Sequence, residues 1–437
     1  MPGLHLDKLK IGVPDAQRAA RVLSMCALAL ALPTQAQDTA TAPANELVVD
    51  MREPAEPAPT TTPVESPVIQ DFTAAIAAIE RQEGTYGPGL SEQLLGLGIA
   101  LQQQARHEQA IDAFKRAAHL ARINTGLYSR EQIELLRRQI ESQLALKEYE
   151  AVDQRQQYLY RVERRALRDQ RDSPYALLRH AEWQRLAYQE QVGDEDTVPL
   201  RLQQMWNLYR LSLTEMIDHF GEASPELRKP LVGMLQAQYL FAGHQQFASS
   251  QRKNTADSPY GPLSNYTFRK GEKVLKALIE LGLIQSDLIA VTTDKLALAD
   301  WAWWFGKRKD AQRYYDDVHA FALESDDAVV QAYLQSTLAE PIALPTEDDL
   351  QPLPPPMWDD SGVLVVSFTI SETGRVSNLE RLAEPEVEEY EGGMNRLLRV
   401  LRRTRFRPPF EEGRPVASEP ITWSWQAAAW RPQASVE

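Results

Sequence analysis

The stretch LLGLGIAL at Leu94–Leu101, followed nine residues later by AIDAFKRA at Ala110–Ala117, decides the fold that the sequence predicts. In both stretches apolar residues return at intervals of three and four, the period of one face of an α-helix. Small residues at Gly98 and Ala110 allow two such helices to touch closely, and Phe114 is large enough to fill the space between them. The sequence here therefore predicts a tight helical hairpin.

This spacing resembles the tetratricopeptide repeat (TPR), whose pattern is W-x₂-L-G-x₂-Y followed by A-x₃-F. Leu94 and Leu101 replace the two aromatic residues of that pattern, and no proline closes the repeat. The residues predicted to pack between the helices are Leu97, Gly98, Leu101, Ala110, Phe114 and Ala117. The resemblance implies stacked helical hairpins that bind other proteins.

Further copies of the hairpin pattern are weaker. The segment from Glu131 to Ala151 repeats the first copy with a two-residue insertion, and a third copy lies at residues 298–315. The segments between these copies are helical but depart from the repeat, and residues 249–266 are predicted to form a long exposed loop. Because repeats bury their apolar faces against one another, residues 69–338 are predicted to form one cooperative solenoid.

The N-terminal segment has the features of an export signal. Arg18 and Arg21 precede an apolar run at residues 22–32, and small residues follow it. The run is too short for a bilayer-spanning helix, which needs about 20 apolar residues. A cleaved signal at residues 1–36 predicts a periplasmic protein of a Gram-negative bacterium; only an uncleaved signal would attach it to a membrane. Cys26 is the only cysteine, so cleavage would remove thiol chemistry.

Charge and proline content define the remaining boundaries. The net charge of −14 argues against a nucleic-acid partner, because such proteins present a basic surface. Residues 37–68 are rich in proline, alanine and threonine and are predicted to be an extended linker. Residues 339–357 combine prolines with acids and are predicted to be a second, stiffer spacer.

The last part of the chain, residues 358–430, predicts a small α+β domain. Apolar residues alternate along residues 363–370, Gly374 makes a turn, and a second strand follows. The next helix carries an apolar stripe at Met394, Leu397, Leu398 and Leu401. A final strand runs from Ile421 to Trp425. This order of strand, strand, helix and strand predicts one helix packed on an antiparallel sheet.

This domain resembles the C-terminal domain of the energy-transducing TonB family. The resemblance rests on Gly362, Val365, Phe368, Gly374, Val376, Arg405-Phe406-x-Pro408, Gly413-x-Pro415-Val416 and the closing apolar strand. Two family features are missing, the Tyr-Pro before the first strand and the membrane anchor that couples family members to inner-membrane motor proteins. The resemblance therefore implies the fold more firmly than it implies energy transduction.

The resemblance also implies a binding site. In the TonB family the last strand offers its edge to an extended segment of an outer-membrane receptor, which is β-augmentation. The corresponding edge strand here is Ile421, Thr422, Trp423, Ser424 and Trp425. In the alternative interpretation, Trp423 and Trp425 only close the sheet core, and prolines or a second copy of the chain blunt the edge.

Two other clusters allow a functional and a structural interpretation. The aromatic run Trp301, Trp303, Trp304 and Phe305 suits a sugar platform, but its helical spacing favours core packing. Arg399, Arg402 and Arg403 suit contact with an anionic partner, but they also suit a solvated helix face. We expect the structural interpretation for both clusters.

No sequence motif indicates catalysis. The seven histidines show no HExxH pair, and the chain contains no GxSxG, P-loop or GxGxxG fingerprint. We therefore expect no catalytic residues, no metal and no cofactor. The predicted function is that of a non-enzymatic adaptor of the cell envelope with protein partners such as outer-membrane receptors. The alternative is a structural envelope protein whose C-terminal domain dimerises or contacts peptidoglycan.

Overall fold

The computed structural model describes most of the chain after residue 65. The described ranges are 66–194, 196–251, 261–346, 351–354, 356–357, 363–384 and 392–430, without the side chains of 244–251 and 261–264. The predicted signal at 1–36 and nearly all of the predicted linker at 37–68 lie outside these ranges. Within them, no helix combines the length and apolarity that crossing a membrane requires.

The helical region contains twelve described α-helices, each packed on the next along the chain. They are α1 Pro67–Glu83, α2 Leu90–Gln103, α3 His107–Thr125, α4 Glu131–Ala145, α5 Tyr149–Ala166, α6 Ser173–Gln189, α7 Val198–Phe220, α8 Arg228–Gln251, α9 Gly261–Gln285, α10 Leu288–Trp304, α11 Arg308–Glu324 and α12 Ala328–Ala339. A 3₁₀ turn at Pro225–Leu227 precedes α8. Contacts between sequence neighbours dominate, as in a solenoid.

The hairpin of α2 and α3 packs as tightly as its small residues allow. A Cβ at Gly98 would lie 2.3 Å from the ring of Phe114, so only glycine admits that ring. Ala110, Phe114 and Ala117 are fully buried, and Leu101 is 5% exposed. Leu97 is only partly buried, on the flank of the same cluster. The closeness of the two helices thus depends on side-chain volume at a few positions.

The C-terminal unit is a three-stranded antiparallel sheet with one helix. Its elements are β1 Ile342–Leu344, β2 Val363–Ile370, β3 Val376–Ala383, α13 Gly393–Arg403, β4 Arg405–Arg407, β5 Phe410–Glu411, β6 Arg414–Pro415 and β7 Ile421–Gln426. The sheet order is β3-β2-β7, with β1 pairing β4 and β5 pairing β6 separately. Alternate residues of β2 are buried and join the apolar stripe of α13 in one core. The predicted class, mainly α with a few antiparallel strands at the C-terminal end, is confirmed at that level.

The C-terminal unit is joined directly to the last helical hairpins. Strand β1 follows α12 and pairs with β4, with Ala343 opposite Phe406. Leu344 and Phe410 belong to the same hydrophobic cluster as α10 and α11. The described parts of the predicted stiff spacer at residues 339–357 are attached to both neighbouring cores, because Leu344 is buried in one and Leu353 in the other.

The predicted loop at residues 249–266 is too long. Helix α8 continues to Gln251, and α9 already begins at Gly261. Polar residues and prolines at helix ends resemble those of loops, and a proline is tolerated in the first turn of a helix. Pro262, directly after Gly261, occupies such a position.

Candidate partner-binding site

Strand β7 forms one edge of the three-stranded sheet. It pairs only with β2 there, antiparallel, in a register that places Val366 opposite Trp423 and Phe368 opposite Ile421. The sheet thus brings the predicted edge residues 421–425 to an edge position. Their binding of a partner strand stays a prediction.

The side chains of β7 divide between the two faces of the sheet. Trp425 is 1% exposed, and Trp423 contacts Phe368 edge-to-face with 5.3 Å between ring centroids. Ile421 packs against the same core, whereas Thr422 is exposed. The two tryptophans therefore close the sheet core, as the alternative interpretation expected, and a partner strand would meet the backbone of β7 and the indole N–H of Trp425.

The outer edge of β7 is defined here as the side facing away from β2. Met357 donates its backbone N–H to the Ser424 carbonyl at 2.8 Å on that side. Backbone groups of alternate residues in an antiparallel strand point the same way. The N–H and C=O groups of Thr422 and Gln426 therefore also point outward, and those of Trp423 and Trp425 point toward β2.

A short segment of the chain already lies along this outer edge. Met357 bridges Ser424 in antiparallel orientation, and the Ser424 hydroxyl also donates to the Met357 carbonyl. The Trp425 indole Nε1 donates to the Pro354 carbonyl at 2.8 Å. Leu353 is 5% exposed and belongs to the core of the C-terminal unit. The edge is therefore partly occupied, and no pattern in the sequence indicates this occupant.

The three arginines predicted to contact an anionic partner lie on one exposed side of α13. Arg399, Arg402 and Arg403 are all exposed, and no described carboxylate forms an ion pair with them. The apolar stripe of α13 faces the sheet instead. Among the described residues no hydrogen bond or ion pair joins these arginines to another predicted site residue, and their binding role stays a prediction.

Two further arginines of the same sequence region turn inward to the junction between the C-terminal unit and the helices. Arg407 is 1% exposed; its Nη1 lies 2.9 Å from Asp300 Oδ2 and its Nη2 donates to the Thr337 carbonyl. Tyr315 donates its hydroxyl to Asp300 Oδ1 at 2.6 Å. Arg405 donates to the Trp304 carbonyl at 2.9 Å. Sequence reasoning missed this site, because residues about 100 positions apart meet there.

Burial controls the electrostatics of this junction. It raises the pKa of the Asp300 carboxyl, and the Arg407 guanidinium and the Tyr315 hydroxyl partly offset that rise. Burial, reinforced by the charge of Asp300, raises the pKa of the Tyr315 phenol well above its ordinary value. Removing one member of such a buried pair leaves an uncompensated charge, so the three residues act as one unit.

In the aromatic run at residues 301–305, Trp301 and Trp303 are core, and Trp304 and Phe305 pack partly buried against the same cluster, in agreement with the predicted structural role. Trp301 is fully buried and donates to the Phe268 carbonyl at 3.0 Å. Trp303 is 6% exposed and donates its indole N–H to the Phe406 carbonyl at 2.8 Å. Trp303 thus adds a further bond across the junction, and its buried ring leaves no surface for a sugar.

A polar pocket lies between α4 and α6 in the helical region. It has a volume of about 380 Å³ and is lined by Arg130, Ile133, Glu134, Arg137, Leu167, Asp172, Tyr175 and Arg179. Glu163 of α5, 2% exposed, accepts from Arg137 at 2.6 Å and from Arg179 at 2.8 Å. The two arginine side chains are each about one-third exposed. Their ion pairs with the buried Glu163 hold them in place at the pocket wall.

The described residues include no group of three or more His, Cys, Asp and Glu side chains placed to hold a metal. His180 stacks on Tyr160 with 4.4 Å between ring centroids. Burial lowers the pKa of His180 to about 4. Its neutral ring is a packing element of α6.

Comparison with known proteins finds matches among solved structures alone. No family model and no curated protein matches the chain. Two crystal structures of a Podosopora anserina protein described as a kinesin light chain with nearly identical TPR-like repeats, one of them a Q17M variant, do match. Each is 11% identical, with TM-scores of 0.35 and 0.34, over 54% of this chain and 97% of that chain. At these scores the matches add nothing to what the hairpins themselves show.

Proposed function

We propose that this chain is a non-enzymatic scaffold that binds proteins at two places. The helical array binds one partner, and the outer edge of β7 binds an extended segment of another as an added strand. The observation that carries the proposal is the edge position of β7, with the backbone groups of Thr422 and Gln426 pointing away from β2. Such groups are the usual template for β-augmentation.

The pocket between α4 and α6 supports binding by the helical array. Its wall combines the cations Arg137 and Arg179 with the anions Glu134 and Asp172. Because the arginines are fixed by Glu163, they need little reorganisation to meet a partner's carboxylates. This chemistry suits polar side chains of a protein.

The location and the transport link of this scaffold also belong to the proposal. The N-terminal charge and apolar pattern supports export to the periplasm. The resemblance of residues 362–425 to the TonB C-terminal domain supports a connection to outer-membrane transport. The direct attachment of the C-terminal unit to the helices implies that both partners would be held in a defined relation.

Thr422→Pro tests the edge. Proline at residue 422 removes an outward N–H and leaves the bonds between β7 and β2 in place, which edge strands tolerate. Thr422→Val is the matched control, because it changes the side chain and keeps the N–H. A photo-cross-linking amino acid replaces the exposed Gln426 in three full-length chains: Thr422→Pro, Thr422→Val and the otherwise unchanged chain. Each chain is produced and irradiated in cells, and the cross-linked proteins are identified by mass spectrometry.

We expect one discrete partner cross-linked to the unchanged chain and to Thr422→Val, and its loss in Thr422→Pro. Circular dichroism shows whether the helices remain folded in each variant. A cross-link that survives in Thr422→Pro would remove β7 as the site. A cross-link to a second copy of the chain would instead favour the structural alternative, in which the C-terminal unit dimerises.

A further inference from the structure

The segment on the outer edge of β7 has the geometry of a bound peptide. It is named here the capping segment, and its described residues are Leu353, Pro354, Pro356 and Met357. Leu353 enters the core of the C-terminal unit, the Pro354 carbonyl accepts from Trp425, and Met357 pairs with Ser424. An apolar anchor, a side-chain bond and a backbone bond are the three kinds of contact that a β-augmenting peptide makes.

The composition of the capping segment makes it a poor strand. Pro354, Pro355 and Pro356 have no backbone N–H, so Met357 is the first residue after Leu353 that can donate to a neighbouring strand. The Met357 N–H bonds Ser424, and no residue between Leu353 and Met357 can donate a second ladder bond. The segment therefore covers the edge while using few of its hydrogen-bonding groups.

We propose that the capping segment is a built-in, weakly held occupant of a peptide site on β7, and that a partner strand binds by displacing it. The proposal rests on the proposed function of β7 and adds its regulation and its ligand chemistry. While the segment is in place, it protects an edge that would otherwise pair with other chains. Its proline content keeps it exchangeable.

The contacts of the capping segment define the partner that fits. The partner is an extended peptide running antiparallel to β7, with a leucine-sized side chain in the place of Leu353. Its next carbonyl accepts from the indole of Trp425. Unlike the segment, it carries N–H groups along its length and forms a regular ladder on the outer edge. The partner peptide therefore binds the outer edge of β7 more tightly than the capping segment does, because it forms more backbone hydrogen bonds.

Two synthetic peptides provide the probes. One has the native sequence of residues 351–358, and the other has alanine in place of its last three prolines, which restores three N–H donors. Fluorescence anisotropy measures the binding of each labelled peptide to the full chain. The variants Met357→Pro and Leu353→Asp weaken the capping segment at its backbone bond and at its apolar anchor. Gln351→Ala is the matched control, because this exposed residue bonds only the Thr346 carbonyl outside the anchors.

We expect the alanine peptide to bind Met357→Pro and Leu353→Asp about ten-fold more tightly than the unchanged chain or Gln351→Ala, because the weakened segment leaves the site open more often. The proline peptide should bind more weakly than the alanine peptide to each chain. Adding Thr422→Pro to Met357→Pro should abolish binding of the alanine peptide. These results together would establish the site and its occupant.

Equal affinity of the alanine peptide for all the chains would overturn the proposal, as would tight binding of the proline peptide. Binding that persists after Thr422→Pro would place the peptide elsewhere and overturn it too. If circular dichroism shows that Leu353→Asp unfolds the C-terminal unit, the affinity of the alanine peptide for Met357→Pro, compared with the unchanged chain, tests the proposal alone. No cellular partner enters this assay, so its failure is separable from a failure of cross-linking in cells.

Discussion

Gly374 offers a sharp test of the junction between the C-terminal unit and the helices. Its φ is +72°, and a Cβ there would lie 2.1 Å from the Phe406 carbonyl oxygen and 2.7 Å from Trp303 Nε1. Gly374→Ala would therefore disrupt the bond from Trp303 to the Phe406 carbonyl and the bond from the Phe406 N–H to the Gly374 carbonyl. Gly413 is the matched control: its φ is +76°, but the nearest atom to its Cβ, in His319, lies 3.8 Å away.

The magnitude follows from the difference between the two glycines. Placing alanine at a positive φ costs roughly 1–2 kcal/mol at either position. At Gly374 the overlap with backbone adds about 1–3 kcal/mol, and each weakened hydrogen bond adds about 1 kcal/mol. We expect Gly413→Ala to lower the free energy of unfolding by about 1–2 kcal/mol and Gly374→Ala by roughly 4–7 kcal/mol.

Urea unfolding of the full chain measures this difference. Most tryptophans lie at the junction or in the C-terminal unit and dominate the fluorescence, although Trp183 and Trp206 of the helices also contribute. Far-ultraviolet circular dichroism reports on the helices. In Gly374→Ala we expect the fluorescence transition to move to lower urea than the helical transition. Equal destabilisation by the two alanine substitutions would refute the close approach at Gly374 and with it the tight junction.

Three further measurements test the packing of the chain. Arg407→Met should lower the free energy of unfolding by about 3–5 kcal/mol, because it strands the buried Asp300 carboxylate, and adding Asp300→Leu should recover part of that loss. His180 stays neutral in the folded protein down to a pKa of about 4 and titrates near 6.5 when unfolded. Stability should therefore fall by about 3 kcal/mol as pH drops from 6.5 to 4, and His180→Phe should flatten this slope in urea titrations at each pH. Gly98→Ala should cost about 1–3 kcal/mol by overlap with Phe114, and Phe114→Leu in the same chain should relieve it; additive losses would contradict the contact.

Local patterns in the sequence were enough to predict the main helices and strands and the fold class. The three- and four-residue spacing around Gly98 and Phe114 determined a close helical hairpin, because side chains at those intervals share one helix face. Alternation along residues 363–370 and the turn at Gly374 determined a hairpin of strands. Trp423 and Trp425 could be assigned to one face of β7 by the same period-two rule.

Only the tertiary structure decided how these parts are joined and which edge is open. The pairing of Arg407 with Asp300 brings together residues from two predicted domains, and no local period encodes a contact across that separation in sequence. The capping segment was also hidden, because a proline-rich sequence predicts an extended chain without showing what it lies against. Leu353 enters the core and Met357 pairs with β7. Both contacts depend on surfaces that only the whole fold presents, since one buries an apolar side chain and the other satisfies an edge carbonyl.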